Sequence, residues 1–177
     1  MNRWMALSLA GLAPLALAWP DGAPPGHVGF DGQDDCGQCH YAGPSPNALS
    51  GLEFIGLPGQ VRQGELVEFV LRLIDTESRV AGFQMLAVGS DDEPGELVPS
   101  EHQAIQTADG RRYLGHTRPT LSVPDDDHAV TEWTVSWRAP DRPGRVRLLS
   151  AAVAADGDES ALGDTVYQID VDVEVLR

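Results

Sequence analysis

The feature that most constrains this chain is a strict two-residue alternation in its C-terminal third. Tyr167, Ile169, Val171, Val173 and Val175 fall on one side of an extended backbone, and Gln168, Asp170, Asp172 and Glu174 on the other. A helix would scatter these residues around its axis, whereas a strand gives one wet face and one buried face. The same reading holds for Glu65–Ile74, where Val67, Phe69, Leu71 and Leu73 alternate with Glu68, Val70 and Arg72. It holds again where Trp133, Val135 and Trp137 alternate with Glu132, Thr134, Ser136 and Arg138. The two tryptophans are expected to pack in the core. Ala81–Val88 is apolar on both parities and reads as a strand buried on both faces. Shorter runs lie at Leu52–Leu57, Arg111–His116 and Arg145–Val153.

Turn-forming clusters separate these runs: Pro58-Gly59-Gln60, Asp75-Thr76-Glu77-Ser78, Asp91-Asp92-Glu93-Pro94-Gly95, Pro124–Asp127, Asp141-Arg142-Pro143-Gly144 and Ala155–Glu159. About seven short strands without an amphipathic helix predict an all-β, antiparallel, immunoglobulin-like sandwich over 51–177. The chain's 177 residues, 42% of them hydrophobic, suffice for one such core.

The N-terminal part has a different character. Asn2, Arg3 and Trp4 precede an apolar stretch from Met5 to Leu17 that ends in Ala16-Leu17-Ala18. That is the layout of a cleaved export signal over 1–18, too short to span a bilayer comfortably; an uncleaved anchor is the alternative. From Trp19 to about residue 50 the text is rich in Gly, Pro, Asp and Asn. Pro20-Asp21-Gly22, Pro24-Pro25-Gly26 and Pro44-Ser45-Pro46-Asn47 predict irregular backbone with at most a short helical turn. An exported protein, periplasmic or extracellular and not membrane-spanning once its signal is removed, is expected.

Charge narrows the partners. The net charge is −15, from 27 acidic and 12 basic residues, every basic one an arginine, and loss of Arg3 with the signal makes it −16. Such a surface repels nucleic acid and anionic lipid. It favours solubility and, where it docks at all, a basic partner. Acidic clusters at Asp91-Asp92-Glu93 and Asp125-Asp126-Asp127 fit no calcium loop and read as solvated turns.

The chain's two cysteines stand in Cys36-Gly37-Gln38-Cys39-His40. Two thiols this close would close only a tiny strained disulfide loop, which staples nothing. Cys-x-x-Cys-His is the attachment signature of c-type haem. At this spacing the thiols reach the two porphyrin vinyl groups, and His40 follows as proximal iron ligand. A thioredoxin-like dithiol would want a βαβ setting, and a zinc site would want a second close Cys/His pair. The expectation is one covalent haem c held by Cys36, Cys39 and His40. For the sixth ligand the candidates are His27, His102, His116, His128 and Met85. His116, at the end of a strand, leads; Met85, more readily core filling, and His27, in the flexible segment, follow. An open or water-occupied position is a further alternative. No hydrolytic or nucleophilic set is visible.

Several of these stretches occur in an order that resembles a known family. They are Pro58-Gly59-Gln60, Gly82-Phe83-Gln84-Met85, Tyr113-Leu114-Gly115-His116-Thr117, Trp133-x-x-x-Trp137-x-Ala139-Pro140 and Gly163-Asp164-x-Val166-Tyr167. Together, over roughly Gly32 to Val175, they resemble the bacterial reeler-like domain, known also as the choice-of-anchor V domain, in which a Cys-x-x-Cys-His often stands upstream. The resemblance implies an extracytoplasmic immunoglobulin-like sandwich of poorly defined function. His116 falls on the family's histidine–threonine pair, which also occurs in reeler domains lacking the haem motif and so is not itself a ligand signature. The chain lacks the extra cysteines of animal reeler domains. It ends at Val175-Leu176-Arg177 without a sorting tail, from which a free periplasmic carrier is expected.

Three functions follow in order of expectation. The first is a monohaem protein passing single electrons between extracytoplasmic redox partners. The second is a binding module in which the haem is secondary. The third is a haem sensor or enzyme with an open distal position.

Overall fold

A computed structural model describes residues 19, 21–32, 34–43, 51–90 and 93–177. The expected signal, the Pro44–Asn47 turn and the Asp91-Asp92 pair lie outside the described residues. The chain folds as two packed sheets with the N-terminal segment laid across the outside of one of them.

The larger sheet holds β1 (Tyr41–Ala42), β3 (Gln60–Arg62), β5 (Val80–Gly89), β7 (Gln103–Ala108), β8 (Arg111–His116), β9 (Thr120–Leu121), β12 (Gly144–Ala155) and β13 (Leu162–Leu176). Its main path runs β1-β13-β12-β5-β8-β7, with β3 alongside β13 and β9 alongside β5. The smaller sheet holds β2 (Gly51–Ile55), β4 (Leu66–Asp75), β6 (Glu96–Val98), β10 (Val123–Asp125) and β11 (His128–Arg138), in the order β10-β11-β4-β2 with β6 beside β11. All seven expected runs are strands. The long pairings are antiparallel as expected, while the short strands β1 and β3 pair with β13 in parallel.

The alternating residues meet between the sheets. Val67, Phe69, Leu71 and Leu73 of β4 and Trp133, Val135 and Trp137 of β11 are buried against Phe83, Met85, Leu114, Leu148, Val173 and Val175 of the larger sheet. Trp137 is fully buried; an aromatic of this class removes roughly 150–250 Å² from water, or about 4–6 kcal/mol of transfer free energy. Its indole N–H donates to the Pro94 carbonyl (2.9 Å), and that of Trp133 to the Thr120 hydroxyl (2.8 Å). Asp75, at the end of β4, ties the sheets together. Its carboxylate accepts from the amides of Glu77 and Ser78 and, at 2.7 Å, from the Tyr167 hydroxyl of β13.

Strand β5 is buried on both faces, as apolar residues on both of its parities predict, and the second cover is the N-terminal segment. Ala81, Phe83, Met85 and Ala87 point into the sandwich. Leu86 and Val88 point outward and are covered by Val28 and Phe30, together with Tyr113 and Ala108. The Arg111 guanidinium stacks over the Phe30 ring at 4.8 Å.

Candidate haem site

The irregular segment is held down by side chains reaching out from the sheet. Gln84 alternates with Phe83 and Met85 and therefore faces outward, where it is almost completely buried. Its Oε1 accepts from the amides of Gly26 (3.0 Å) and His27 (2.9 Å), and its Nε2 donates to the Pro24 carbonyl (2.9 Å). Further along, the Gln168 amide donates to Asp35 at 3.1 Å.

Asp35 also starts the turn that carries the motif. It caps a 3-10 turn at Cys36–Gln38, its carboxylate accepting from the Gly37 amide at 2.8 Å. The His40 amide closes back onto the Cys36 carbonyl at 2.9 Å, so the motif forms the single helical turn expected of it. Both cysteines are free thiols, Cys36 buried and Cys39 exposed. Burial, reinforced by the Asp35 charge, pushes the Cys36 thiol up to about 12, and its Sγ lies 3.5 Å from the His27 carbonyl.

Beyond the turn, the Tyr41 amide donates to the Ala161 carbonyl (3.0 Å) and β1 begins. This pairing brings His40 over β13, where its Nδ1 lies 2.5 Å from Oδ2 of Asp164. The Asp164 side chain is 2% exposed. Gly43 allows the approach, since a Cβ there would overlap the Asp164 carbonyl. A carboxylate accepts, so Nδ1 carries a proton, and in the neutral ring Nε2 is the nitrogen with the free lone pair.

His116 ends β8 with its ring laid over Gly82. A Cβ on Gly82 would stand 2.6 Å from the ring's Nε2. The ring's Nδ1 is 3.0 Å from the Phe83 amide and 3.1 Å from the Phe83 carbonyl. Burial holds His116 below its ordinary value of 6.5, the hydrogen bond to Phe83 opposes this, and a charge on His40 would lower it further. The ring is neutral at neutral pH. When Nδ1 donates to the Phe83 carbonyl, Nε2 is bare and able to bind a metal.

A cavity of about 280 Å³ between the segment and the sheet is lined by Cys36, Cys39, His40 and His116, with His27, Gln84 and the mostly apolar stretch Val80–Phe83. The exposed residues Cys39 and Trp19 also line it, so it opens to solvent. The motif and two of the expected sixth-ligand histidines thus share one space. The others do not. Met85 is fully buried in the inter-sheet core, on the opposite face of β5 from Gln84, because period two sends it inward with Phe83. His102 sits in a turn beside Glu101 (3.1 Å), and His128 starts β11 opposite Asp125 in the smaller sheet. His27 lines the cavity with its Nδ1 3.0 Å from the Pro24 carbonyl.

The donor set fits a haem. Among the described residues no three His, Cys, Asp or Glu side chains converge as a bare ion would need. Haem iron brings its own equatorial nitrogens and asks the protein only for axial donors, thiols at the vinyl groups and apolar walls. The acids Asp125, Asp126 and Asp127 lie exposed at the β10–β11 turn.

Among solved structures, the Reelin-N domain of F-spondin is similar to this chain with a TM-score of 0.50 at 16% identity, covering 78% of this chain and 91% of that one. The sandwich is reeler-like. The human F-spondin reeler domain (fragment 1) is similar at a TM-score of 0.49 and 16% identity, with 77% of this chain and 94% of that chain covered. At such identities the likeness establishes the fold alone. No protein-family model matches the chain, and no curated protein matches it in sequence. Among the described residues, no helix of the reeler-like chain is long and apolar enough to cross a membrane.

Residues missing from the sequence-based site are Asp164, Gln84 and Gly82. Each stands in a stretch that carries the family resemblance, yet the roles they take depend on a segment that folds back from far away in the chain.

Proposed function

We propose that this is an exported protein that carries one covalent haem c and passes single electrons between extracytoplasmic partners. The observation that supports it is the shared cavity: the cysteine motif lies on the segment, and a neutral histidine faces the same space from the sheet. Cys36 and Cys39 would form the thioethers, His40 Nε2 would be the proximal ligand and His116 Nε2 the distal one. Bound there, haem supplies one-electron Fe(III)/Fe(II) chemistry, tuned by its axial ligands and burial. The protein's own contribution is orientation, with Asp164 holding His40 and the Phe83 carbonyl holding His116. The net charge of −15 suits a basic redox partner and excess solubility outside the cytoplasm.

The test is an optical spectrum of protein exported together with c-type maturation machinery. Haem that stays attached through denaturation, with sharp low-spin bands on reduction and no far-red methionine–iron band on oxidation, is the expected result. Absence of covalent haem would sink the proposal and leave an extracytoplasmic binding module built on the reeler-like fold.

A second reading rests on the position of His116 Nδ1 between a donor and an acceptor on Phe83. If Nδ1 accepts from the Phe83 amide, Nε2 holds the proton and does not bind iron. The distal position is then open, as in a gas sensor or haem enzyme. A high-spin spectrum that shifts with carbon monoxide would select this reading over electron transfer.

A further inference from the structure

Asp164 stands out as a buried charge that the strand pattern does not explain. It lies on the outward parity of β13, shared with the exposed Gln168, Asp170, Asp172 and Glu174, yet its side chain is 2% exposed. Taking a carboxylate out of water is costly unless a partner compensates. The arginines Arg145 and Arg147 pair with Asp170 and Asp172. The side chain that meets the Asp164 carboxylate is that of His40, whose Nδ1 lies 2.5 Å from Oδ2.

We infer that Asp164 is a positioning residue for the proximal ligand: its buried carboxylate holds His40 with Nε2 toward the iron and lowers the iron's reduction potential. This rests on the haem reading above. A metal-binding histidine commonly donates its second ring N–H to such a partner, which fixes the tautomer and raises the basicity of the ligating nitrogen. A more basic ligand with a negative charge behind it favours ferric over ferrous iron. The neighbourhood does not cancel the effect. Tyr41 and Leu162 flank the pair as exposed residues, and the other titratable side chains that line the cavity, Cys36, Cys39, His27, His116 and Glu159, include no arginine to neutralise the carboxylate.

A purely structural tie, pinning the segment to β13, would make the same contact, so the test must separate charge from shape. Asp164→Asn keeps the size of the side chain and one oxygen acceptor for His40 Nδ1–H, while removing the charge and turning the other oxygen into an amide donor. In the haem-loaded protein we expect Asp164→Asn to retain covalent haem and a low-spin spectrum. Its midpoint potential should rise by about tenfold in the ferrous-to-ferric ratio, or about 59 mV for one electron. An unchanged or lowered potential with an intact spectrum would overturn the inference.

A second measurement covers failure of the variant to mature. In haem-free wild-type protein, nitrogen NMR should find the His40 proton on Nδ1, strongly deshielded, with Nε2 bare. A neutral ring with its proton on Nε2 and Nδ1 bare would overturn the inference equally. Absence of covalent haem from wild-type protein would overturn the functional reading and the effect on potential with it. The tautomer would still report whether Asp164 orients His40.

Discussion

Gln84 is the residue whose removal tests most directly how the N-terminal segment is held. Gln84→Ala deletes both acceptor bonds to the Gly26 and His27 amides and the donor bond to the Pro24 carbonyl. At about 1 kcal/mol net for each bond, the loss is about 3 kcal/mol. The backbone of the strand is untouched, and Met85 and Phe83 still fill the core on the other face. The loss therefore falls on opening of the segment and not on unfolding of the sandwich. Hydrogen exchange at the Gly26 and His27 amides reads that opening without interference. With a factor of ten for each 1.4 kcal/mol, both amides should exchange about a hundredfold faster in the variant, while amides in β11 and β4 keep their wild-type protection. Unchanged protection at Gly26 and His27 in Gln84→Ala would refute the clamp and, with it, the placement of the segment over the sheet.

Other consequences are as specific. Gly82→Ala drives a Cβ into the His116 ring and should cost about 1–3 kcal/mol in urea unfolding, whereas Gly115→Ala, whose Cβ meets only the Phe83 carbonyl at 3.4 Å, should cost less. Burial depresses the proton affinity of His116 in the folded state, so below its ordinary 6.5 the unfolded chain binds the extra proton. Haem-free protein should therefore lose stability between about pH 7.5 and about pH 5.5, and His116→Gln should lose less, as read by urea midpoints at both values. With its thiol pushed up to about 12 from 9.0, Cys36 presents about a thousandfold less thiolate than an ordinary cysteine. Alkylation of the folded haem-free protein followed by mass spectrometry should find Cys39 labelled well before Cys36. Tyr167→Phe removes one acceptance from the buried Asp75 carboxylate and should lower stability by about 1–3 kcal/mol in denaturant titration, without altering any haem absorbance.

The sandwich was legible because burial on one face writes itself into alternate residues. Strands β4, β11 and β13 read true for that reason, and β5 announced its second cover by being apolar on both parities. Strand β7 escaped: Gln103–Ala108 is half-buried along most of its length at the sheet edge, so nothing enforces alternation. The same holds for β6, β9 and β10, two or three residues long, and for β1 and β3, whose parallel pairings with β13 depend on where distant chain ends lie. In the site, the cysteines and His40 were legible through their spacing. Period two alone excludes Met85, because an inward Phe83 makes Met85 inward as well. Asp164 was illegible. In the text it is one more acid on the wet parity of β13, and only the folded-back segment makes it a buried one.

That illegibility follows from how the site is divided between the two parts of the chain. An irregular segment rich in Gly and Pro can offer two thiols and the His40 ring but cannot fix their geometry, since its backbone has no ladder of its own. The sheet supplies the fixing. Asp164 comes from β13, Gln84 from β5 and His116 from β8, strands joined in the order β13-β12-β5-β8. Three strand spacings of about 4.8 Å set β13 and β8 about 14 Å apart. His40 and His116 line the cavity over this span, the one held from β13 and the other laid over β5. On the proposed reading, changes in the sheet's outward residues alone would retune the iron without disturbing the inter-sheet core, because the same strands turn alternate residues to the two tasks.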